Sequence, residues 1–140
     1  MSISNASAEW NGKFKGGGGN MKPANAAAVP FSAGTRFEGE KGSNPEEMVG
    51  AALAGCFSMA LSVGLEKAGM TPEKIQTSAK VHLEKQTEGF AITKIELTTE
   101  IAATGGDAAK IREVAEATKK GCPVSKALAA VPIELEVKTG

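Results

Sequence analysis

The sequence predicts an α+β fold in which a mostly antiparallel sheet packs on a long, buried central helix. No charged residue occurs from Met48 to Leu65, a run long enough for five helical turns. Apolar and polar residues then alternate from Ile75 to Glu84 and again from Phe90 to Ile101, which is typical of half-buried strands. One long helix followed by neighbouring strands favours helices packed on an antiparallel sheet.

Length and composition narrow the class of protein. The 140 residues suit a single domain spanning positions 1–140. Sixteen basic residues balance sixteen acidic ones, so we expect no binding to nucleic acid or to an anionic membrane surface. The chain has 23 alanines but only 27 Val, Ile, Leu and Phe residues. Such a thin core predicts a homo-oligomer, in which a second copy completes the core.

The N-terminal third is rich in turn signals. The first ten residues lack a basic start and an apolar stretch, which predicts a cytoplasmic protein. Asn11-Gly12 predicts a hairpin that returns through Lys13 to Lys15. Gly16 to Gly19 form a turn rather than a phosphate-binding loop, because no Gly-Lys-Ser or Gly-Lys-Thr follows. Met21 to Gly42 show no clear period and predict a loop or an edge strand.

The central helix has a well-specified start. Asn44 can cap it, Pro45 suits the first helical position, and Glu47 at the third position can close a capping box with the cap's backbone. Apolar positions cover every side, so we expect this helix to be buried all round. Its length also approaches that of a membrane span, but its glycines, serines and alanines make insertion weak.

The C-terminal half predicts a hairpin, two helices and a last strand. His82 lies on the polar side of its strand and is interpreted as a solvent-facing histidine. The apolar phase of the next strand shifts between Ile92 and Ile95, which predicts a β-bulge. Asp107 can cap a second helix, and a short helix through Ala129 follows it. The predicted last strand is Val131 to Val137.

The two cysteines allow different interpretations. Neither lies in a Cys-x-x-Cys motif or near the single histidine, so no metal site is predicted. Cys56 lies mid-helix among small and apolar residues, where a cysteine is often a packing residue. Cys122 precedes Pro123 at a predicted helix start, beside several lysines. Local features therefore make Cys122 the more acidic thiol.

Two segments resemble a known family. The stretch TRFEGEKGSNPEEMVGAALAGCFSMALS, from Thr35 to Ser62, and GCPVSKAL, from Gly121 to Leu128, resemble the OsmC/Ohr family of thiol-dependent peroxidases. Within this family, the segments TRFEG and CFSMAL resemble the osmotically inducible OsmC branch. The resemblance implies an intertwined homodimer with two equivalent sites, which agrees with the thin core.

The resemblance also implies a reaction and its residues. It implies reduction of organic hydroperoxides, and more weakly of hydrogen peroxide, with Cys56 as the attacking thiol and Cys122 as the resolving thiol. Arg36 would hold Cys56 as a thiolate, and Glu46 would orient Arg36. No cofactor is expected, and an external dithiol, such as a lipoyl-type protein, would reset the enzyme. An apolar substrate pocket would draw on Phe37, Met48, Phe57 or Met59.

Two other classes of function remain open from the sequence. In the first, the chain is a non-catalytic dimeric binding module, its thiols are packing residues, and Arg36 anchors the acid group of a small ligand. In the second, the uncharged run marks a structural or membrane-associated helix.

Overall fold

The chain divides into two units, Met1–Met48 and Val49–Gly140, and the computed structural model describes residues 1–139. The predicted α+β class with antiparallel-rich sheets is confirmed. Each unit contains one three-stranded sheet. The single domain inferred from length stays a prediction.

The N-terminal sheet is antiparallel. Its strands are β1 (Ala6–Asn11), β2 (Gly18–Pro23) and β3 (Val29–Phe31). The predicted hairpin is present, but its return strand begins at Gly18 and not at Lys13. Residues 12–17 form the turn, closed by the Gly17 amide donating to the Lys13 carbonyl at 3.0 Å. A Cβ at Gly17 would lie 2.2 Å from that carbonyl oxygen, so the turn requires glycine there.

A short helix, α1 (Ala33–Phe37), lies in the segment predicted as loop or edge strand. Ser32 and Thr35 cap it reciprocally. The Thr35 amide donates to the Ser32 hydroxyl at 3.2 Å, and the Ser32 amide donates to the Thr35 hydroxyl at 2.9 Å. Five residues are too few to show a helical period, which explains why the pattern missed them. Arg36 lies in the last turn of this helix.

The long helix α2 (Pro45–Lys67) begins as predicted. Asn44 Oδ1 accepts from the Glu47 amide at 2.9 Å. The Glu47 carboxylate, however, accepts from the Ser43 hydroxyl at 2.7 Å and does not return to the cap's backbone. The predicted capping box is therefore wrong, because the residue before the cap supplies the donor that Glu47 uses.

Only one face of α2 is buried. Leu53, Phe57 and Leu61 are fully buried, whereas Met59 and Val63 on the opposite side are exposed. The expected burial all round is thus wrong for the single chain, because the sheet packs on one face and leaves an apolar face uncovered. By length and composition α2 could also cross a membrane, a test that the core helix of a soluble protein passes as well.

The C-terminal sheet has the order β4-β5-β6. A long antiparallel hairpin forms from β4 (Thr71–Gln86) and β5 (Gly89–Thr104). β6 (Ile133–Thr139) pairs with β5 in parallel, so the chain must cross over the sheet between them. The helices α3 (Ala108–Gly121) and α4 (Pro123–Ala127) make this crossover.

The predicted bulge is confirmed in the β4–β5 hairpin. His82 pairs with Lys94 and Leu83 with Ile92, so Thr93 is the extra residue. His82 does not face solvent alone, because its Nε2 lies 2.6 Å from Glu96 Oε2. That hydrogen bond holds the pKa of the Glu96 carboxyl below its ordinary value. The pair was missed because only the strand register brings these residues together.

A chain of hydroxyls connects α2 to the C-terminal sheet. Ser58 donates to Thr77 on β4 at 2.8 Å, and Thr77 lies 3.0 Å from the hydroxyl of Thr99 on β5. Thr99 is fully buried. The surrounding core is apolar and comprises Leu53, Phe57, Leu61, Leu65, Met70, Ile95, Leu97, Ile101, Ile111 and Ala115. These hydrogen bonds therefore fix where α2 lies on the sheet, two residues from Cys56.

Candidate active site

The two cysteines are in contact. Cys56 on α2 and Cys122 between α3 and α4 have their Sγ atoms 2.7 Å apart, and both are free thiols. A disulfide bond is about 2.05 Å long, so oxidation requires only a small movement of the side chains. Cys122 is fully buried and Cys56 is half-buried. The outer of the two sulfur atoms is thus that of Cys56.

Backbone hydrogen bonds hold Cys122 on both sides. Its amide donates to the Thr118 carbonyl at 2.9 Å and ends α3. Its carbonyl accepts from the Lys126 amide at 3.0 Å and begins α4, with Pro123 at the first helical position as predicted. Cys56 lies on a rigid helix next to Phe57, which is fully buried. Both sulfur atoms therefore project from well-fixed backbone.

The two thiols differ in acidity. Burial raises the pKa of the Cys56 thiol, and its hydrogen bond with Cys122 raises it further. Burial also acts to raise the pKa of Cys122, but the Cys56 thiol and the amide and hydroxyl of Ser125 outweigh it, so the pKa of Cys122 is lowered overall. The contact between the two sulfur atoms thus acts on the two pKa values in opposite directions.

Arg36 and Glu46 form a second pair within the N-terminal unit. The guanidinium binds both carboxylate oxygens, with Arg36 Nε 2.9 Å from Oε1 and Nη2 2.8 Å from Oε2. Such a bidentate pair fixes the plane of the guanidinium. The Glu46 side chain is only 11 % exposed and that of Arg36 is 33 % exposed, so the carboxylate is the inner partner. Two of five N–H donors are used, and three remain for another ligand.

An apolar pocket of about 170 Å³ adjoins Arg36. The Trp10 and Phe31 rings lie 5.4 Å apart between centroids and are tilted by 54°, and the Phe14 and Phe37 rings lie 6.0 Å apart. The Arg36 guanidinium lies 5.1 Å from the centre of the Phe37 ring. Of the expected pocket residues, Phe37 lines this cavity, whereas Phe57 belongs to the core of the other unit.

Sequence reasoning missed Trp10, Phe14 and Phe31. Gly19 pairs with both Trp10 and Phe31, and a Cβ there would lie 3.1 Å from each ring. This glycine lets the two rings meet above the middle strand. A signal was available, since four of the six aromatic residues fall within the first 37 positions.

The four predicted site residues thus form two pairs, each within its own unit. Cys56 contacts Cys122, and Arg36 binds Glu46. No group of three or more His, Cys, Asp or Glu side chains able to hold a metal occurs within residues 1–139. The pairing of thiol with thiol is the feature on which redox chemistry can build.

Comparison with known proteins identifies the family to which this fold and thiol pair belong. The family model "OsmC-like protein" matches residues 38–136. The chain is 47 % identical over 135 residues to Peroxiredoxin OsmC of Escherichia coli K12, with 94 % of each chain covered. This protein belongs to the OsmC-like family.

Solved structures agree with this assignment. The organic hydroperoxide resistance protein OhrB of Bacillus subtilis matches with a TM-score of 0.71 and 26 % identity, covering 96 % of this chain and 98 % of that one. An OsmC-like protein of Mycoplasma pneumoniae matches with a TM-score of 0.78 at 17 % identity, covering 99 % and 97 %. The second likeness concerns the fold alone.

Proposed function

We propose that this protein is a cysteine-based peroxidase that reduces organic hydroperoxides, and hydrogen peroxide more weakly. The contact between Cys56 and Cys122 carries the proposal, because two adjacent thiols can take up the two oxidising equivalents of one peroxide. The Escherichia coli relative is named a peroxiredoxin and the Bacillus subtilis one a hydroperoxide resistance protein. The binding-module alternative is not favoured, since both names describe peroxide chemistry.

The reaction proceeds in three steps. The Cys56 thiolate attacks the distal peroxide oxygen, the O–O bond breaks, and the alkoxide takes a proton and leaves as the alcohol. The Cys122 thiolate then attacks the sulfur of the Cys56 sulfenic acid, and the leaving hydroxide takes a proton to become water. An external dithiol reduces the resulting disulfide and returns both thiols.

Cys56 is assigned as the attacking thiol because it is the accessible one. A peroxide must reach the sulfur, and Cys122 is fully buried. The raised pKa of Cys56 opposes attack, so this thiol requires a positive charge beside it. Arg36 is the residue proposed to supply that charge in the working enzyme, with Glu46 fixing its plane. Its remaining N–H donors then stabilise the developing alkoxide.

The aromatic pocket supports the choice of organic hydroperoxides. Trp10, Phe14, Phe31 and Phe37 surround about 170 Å³ beside Arg36, which suits a small alkyl or aryl group. A peroxide bound by Arg36 would place its organic part among these rings. Hydrogen peroxide has no group to fill the pocket, so it would bind more weakly.

The partners belong to the same proposal. A dithiol reductant, such as a lipoyl-type protein, is required to break an internal disulfide. A homodimer would cover the exposed apolar face of α2, where Met59 and Val63 lie. The proposed location is the cytoplasm, where thiols stay reduced.

Peroxide consumption with a dithiol reductant tests the function. The protein should turn over an organic hydroperoxide faster than hydrogen peroxide. Cys56→Ser should consume no peroxide, whereas Cys122→Ser should consume one equivalent and accumulate trappable sulfenic acid. Sulfenic acid on Cys122 in the Cys56→Ser protein would reverse the assignment. Absence of peroxide consumption by the parental protein would refute the function.

A further inference from the structure

Ser125 carries a buried hydroxyl without a conventional partner. The residue is 6 % exposed, and its Oγ is the one buried side-chain oxygen or nitrogen within residues 1–139 that makes no hydrogen bond in the reduced protein. A buried hydroxyl without a partner costs stability, so its presence requires an explanation. The peroxidase proposal assigns no role to this residue.

The surroundings of Ser125 indicate its partner. Ser125 lies three residues after Cys122, one turn along α4, and Cys122 is fully buried. Cys122 is the N-cap of α4 and Ser125 is its third residue, a position from which a side chain reaches back toward the capping residue. The Ser125 hydroxyl is among the groups that lower the pKa of the Cys122 thiol. A neutral thiol is a weak acceptor, whereas a thiolate is a strong one. The hydroxyl is therefore poorly satisfied in the resting state and well placed for the ionised state.

We propose that the Ser125 hydroxyl is the hydrogen-bond donor that stabilises the Cys122 sulfur as a thiolate in the resolving half of the reaction. This inference rests on the proposed peroxidase function and concerns the second thiol alone. The hydroxyl keeps its own proton throughout and only donates a hydrogen bond.

Two steps would use this donor. In the first, the Cys122 thiolate attacks Cys56, the sulfur–sulfur bond forms, the sulfur–oxygen bond breaks, and the departing hydroxide takes up the proton lost by Cys122. In the second, a thiolate of the external dithiol attacks the Cys56 sulfur, and Cys122 leaves as a thiolate. A thiol of lower pKa leaves faster, so the donor favours attack at the half-buried Cys56.

Other titratable groups near Cys122 do not replace this hydroxyl. The Cys56 thiol contacts it from α2. Lys67 of α2 and Lys110 and Glu113 of α3 line a groove that also reaches Cys122. Lys110 is paired with Glu113 at 3.5 Å. Peroxide attack is assigned to the Cys56 sulfur, so we expect a change confined to Ser125 to leave that step untouched.

The test compares Ser125→Ala with Thr118→Val. The control removes a buried hydroxyl from the same neighbourhood, but the Thr118 hydroxyl donates to the Val114 carbonyl at 2.8 Å. Each reduced protein receives one equivalent of an organic hydroperoxide, and peroxide loss and disulfide formation are followed separately. In Ser125→Ala, peroxide loss should keep its parental rate. Disulfide formation near neutral pH should slow about threefold for each unit by which the Cys122 pKa rises.

The pH profile separates this role from a structural one. Above the pKa of Cys122 the difference should vanish or reverse, since a less acidic thiol gives a more nucleophilic thiolate. Equal slowing at every pH, or no slowing at any pH, would overturn the inference, as would the same effect in Thr118→Val.

A second measurement is independent of peroxide. In the Cys56→Ser background Cys122 is the single thiol, and its titration can be followed by the absorbance of the thiolate. Ser125→Ala should raise its pKa, and Thr118→Val should not. An unchanged pKa overturns the inference even if the protein is a peroxidase. If Ser125→Ala raises the pKa of Cys122 but the parental protein consumes no peroxide, the proposed function is refuted and Ser125 is still the hydrogen-bond donor to Cys122.

Discussion

The Arg36–Glu46 pair shows why residue type matters at this site. Two parallel hydrogen bonds hold the guanidinium in one plane, so its other N–H groups project in fixed directions. A lysine ammonium carries the same charge but has no plane to fix. Geometry as well as charge is therefore at stake at this position.

Arg36→Lys should reduce peroxidase turnover on the order of a hundredfold, because the planar N–H donors proposed to act on the thiolate and the peroxide are lost while the charge is kept. Arg112, the second of the two arginines, is exposed on α3 and provides the matched control. Arg112→Lys should retain parental turnover. Steady-state peroxide consumption measures both variants, and near-parental turnover in Arg36→Lys would exclude Arg36 from the reaction.

The two neighbouring glutamates should respond differently. Glu46→Gln should lower turnover, since a neutral amide cannot form the charged bidentate pair. Glu47→Gln should leave turnover unchanged and alter stability by less than about 0.5 kcal/mol, because its exposed carboxylate binds only Ser43. Asn44→Ala should cost about 1 kcal/mol, because it removes the cap. Activity and denaturant unfolding on all three variants decide this assignment.

Single residues also mark the limit of sequence reasoning. Cys56 and Cys122 are 66 positions apart in the sequence, and only the family resemblance predicted that they work together. Local signals did predict that the helix start favours a Cys122 thiolate, because the amides of Val124 and Ser125 lie within a few residues and lower its pKa. The contact between His82 and Glu96 was not predicted because it depends on strand register.

Among the helices and strands, the sequence patterns that predicted structure correctly either repeated along an element or lay at its end. The alternation along β4 and β5, and even the bulge at Thr93, could be predicted because a change of phase is visible in the residues themselves. The start of α2 was specified by its cap and its proline. The helix α1 was too short to show a period, and the burial of α2 depends on what covers it.

The hydroxyl chain from α2 to the sheet gives an element-scale prediction. Thr77→Val keeps the shape of the side chain but removes the central hydroxyl, so Ser58 and the fully buried Thr99 lose their partner. We expect a loss of about 1–3 kcal/mol in the free energy of unfolding. Thr98→Val, one position from Thr99 on β5, is the control and should cost less. If Thr77→Val and Thr98→Val lost the same free energy of unfolding in denaturant melts, the hydrogen-bonded hydroxyls would contribute nothing to stability.

For the whole molecule, the uncovered face of α2 predicts association. Met59 is 73 % exposed on a helix that carries no charge from Met48 to Leu65, and a second copy is the proposed cover. Met59→Glu should shift the protein toward the monomer in sedimentation equilibrium, because a charge would be buried in the contact. Ile3→Glu changes an equally exposed residue, at 72 %, and should not. A parental protein that is monomeric would contradict the proposed dimer.

The parallel pairing of β5 with β6 places Cys122 on the crossover that joins them, and this has a thermodynamic consequence. A Cys56–Cys122 disulfide would close a covalent ring of about 66 residues containing the whole β4–β5 hairpin. Closing a ring of that size stabilises the folded chain by about 4 kcal/mol in the chain-entropy model. By thermodynamic linkage, folding then raises the equilibrium constant for forming this disulfide on the order of a thousandfold. We therefore expect the proposed dithiol reductant to outperform a monothiol, because its second thiol closes a ring of its own, whereas a single thiol would be expelled by the returning Cys122.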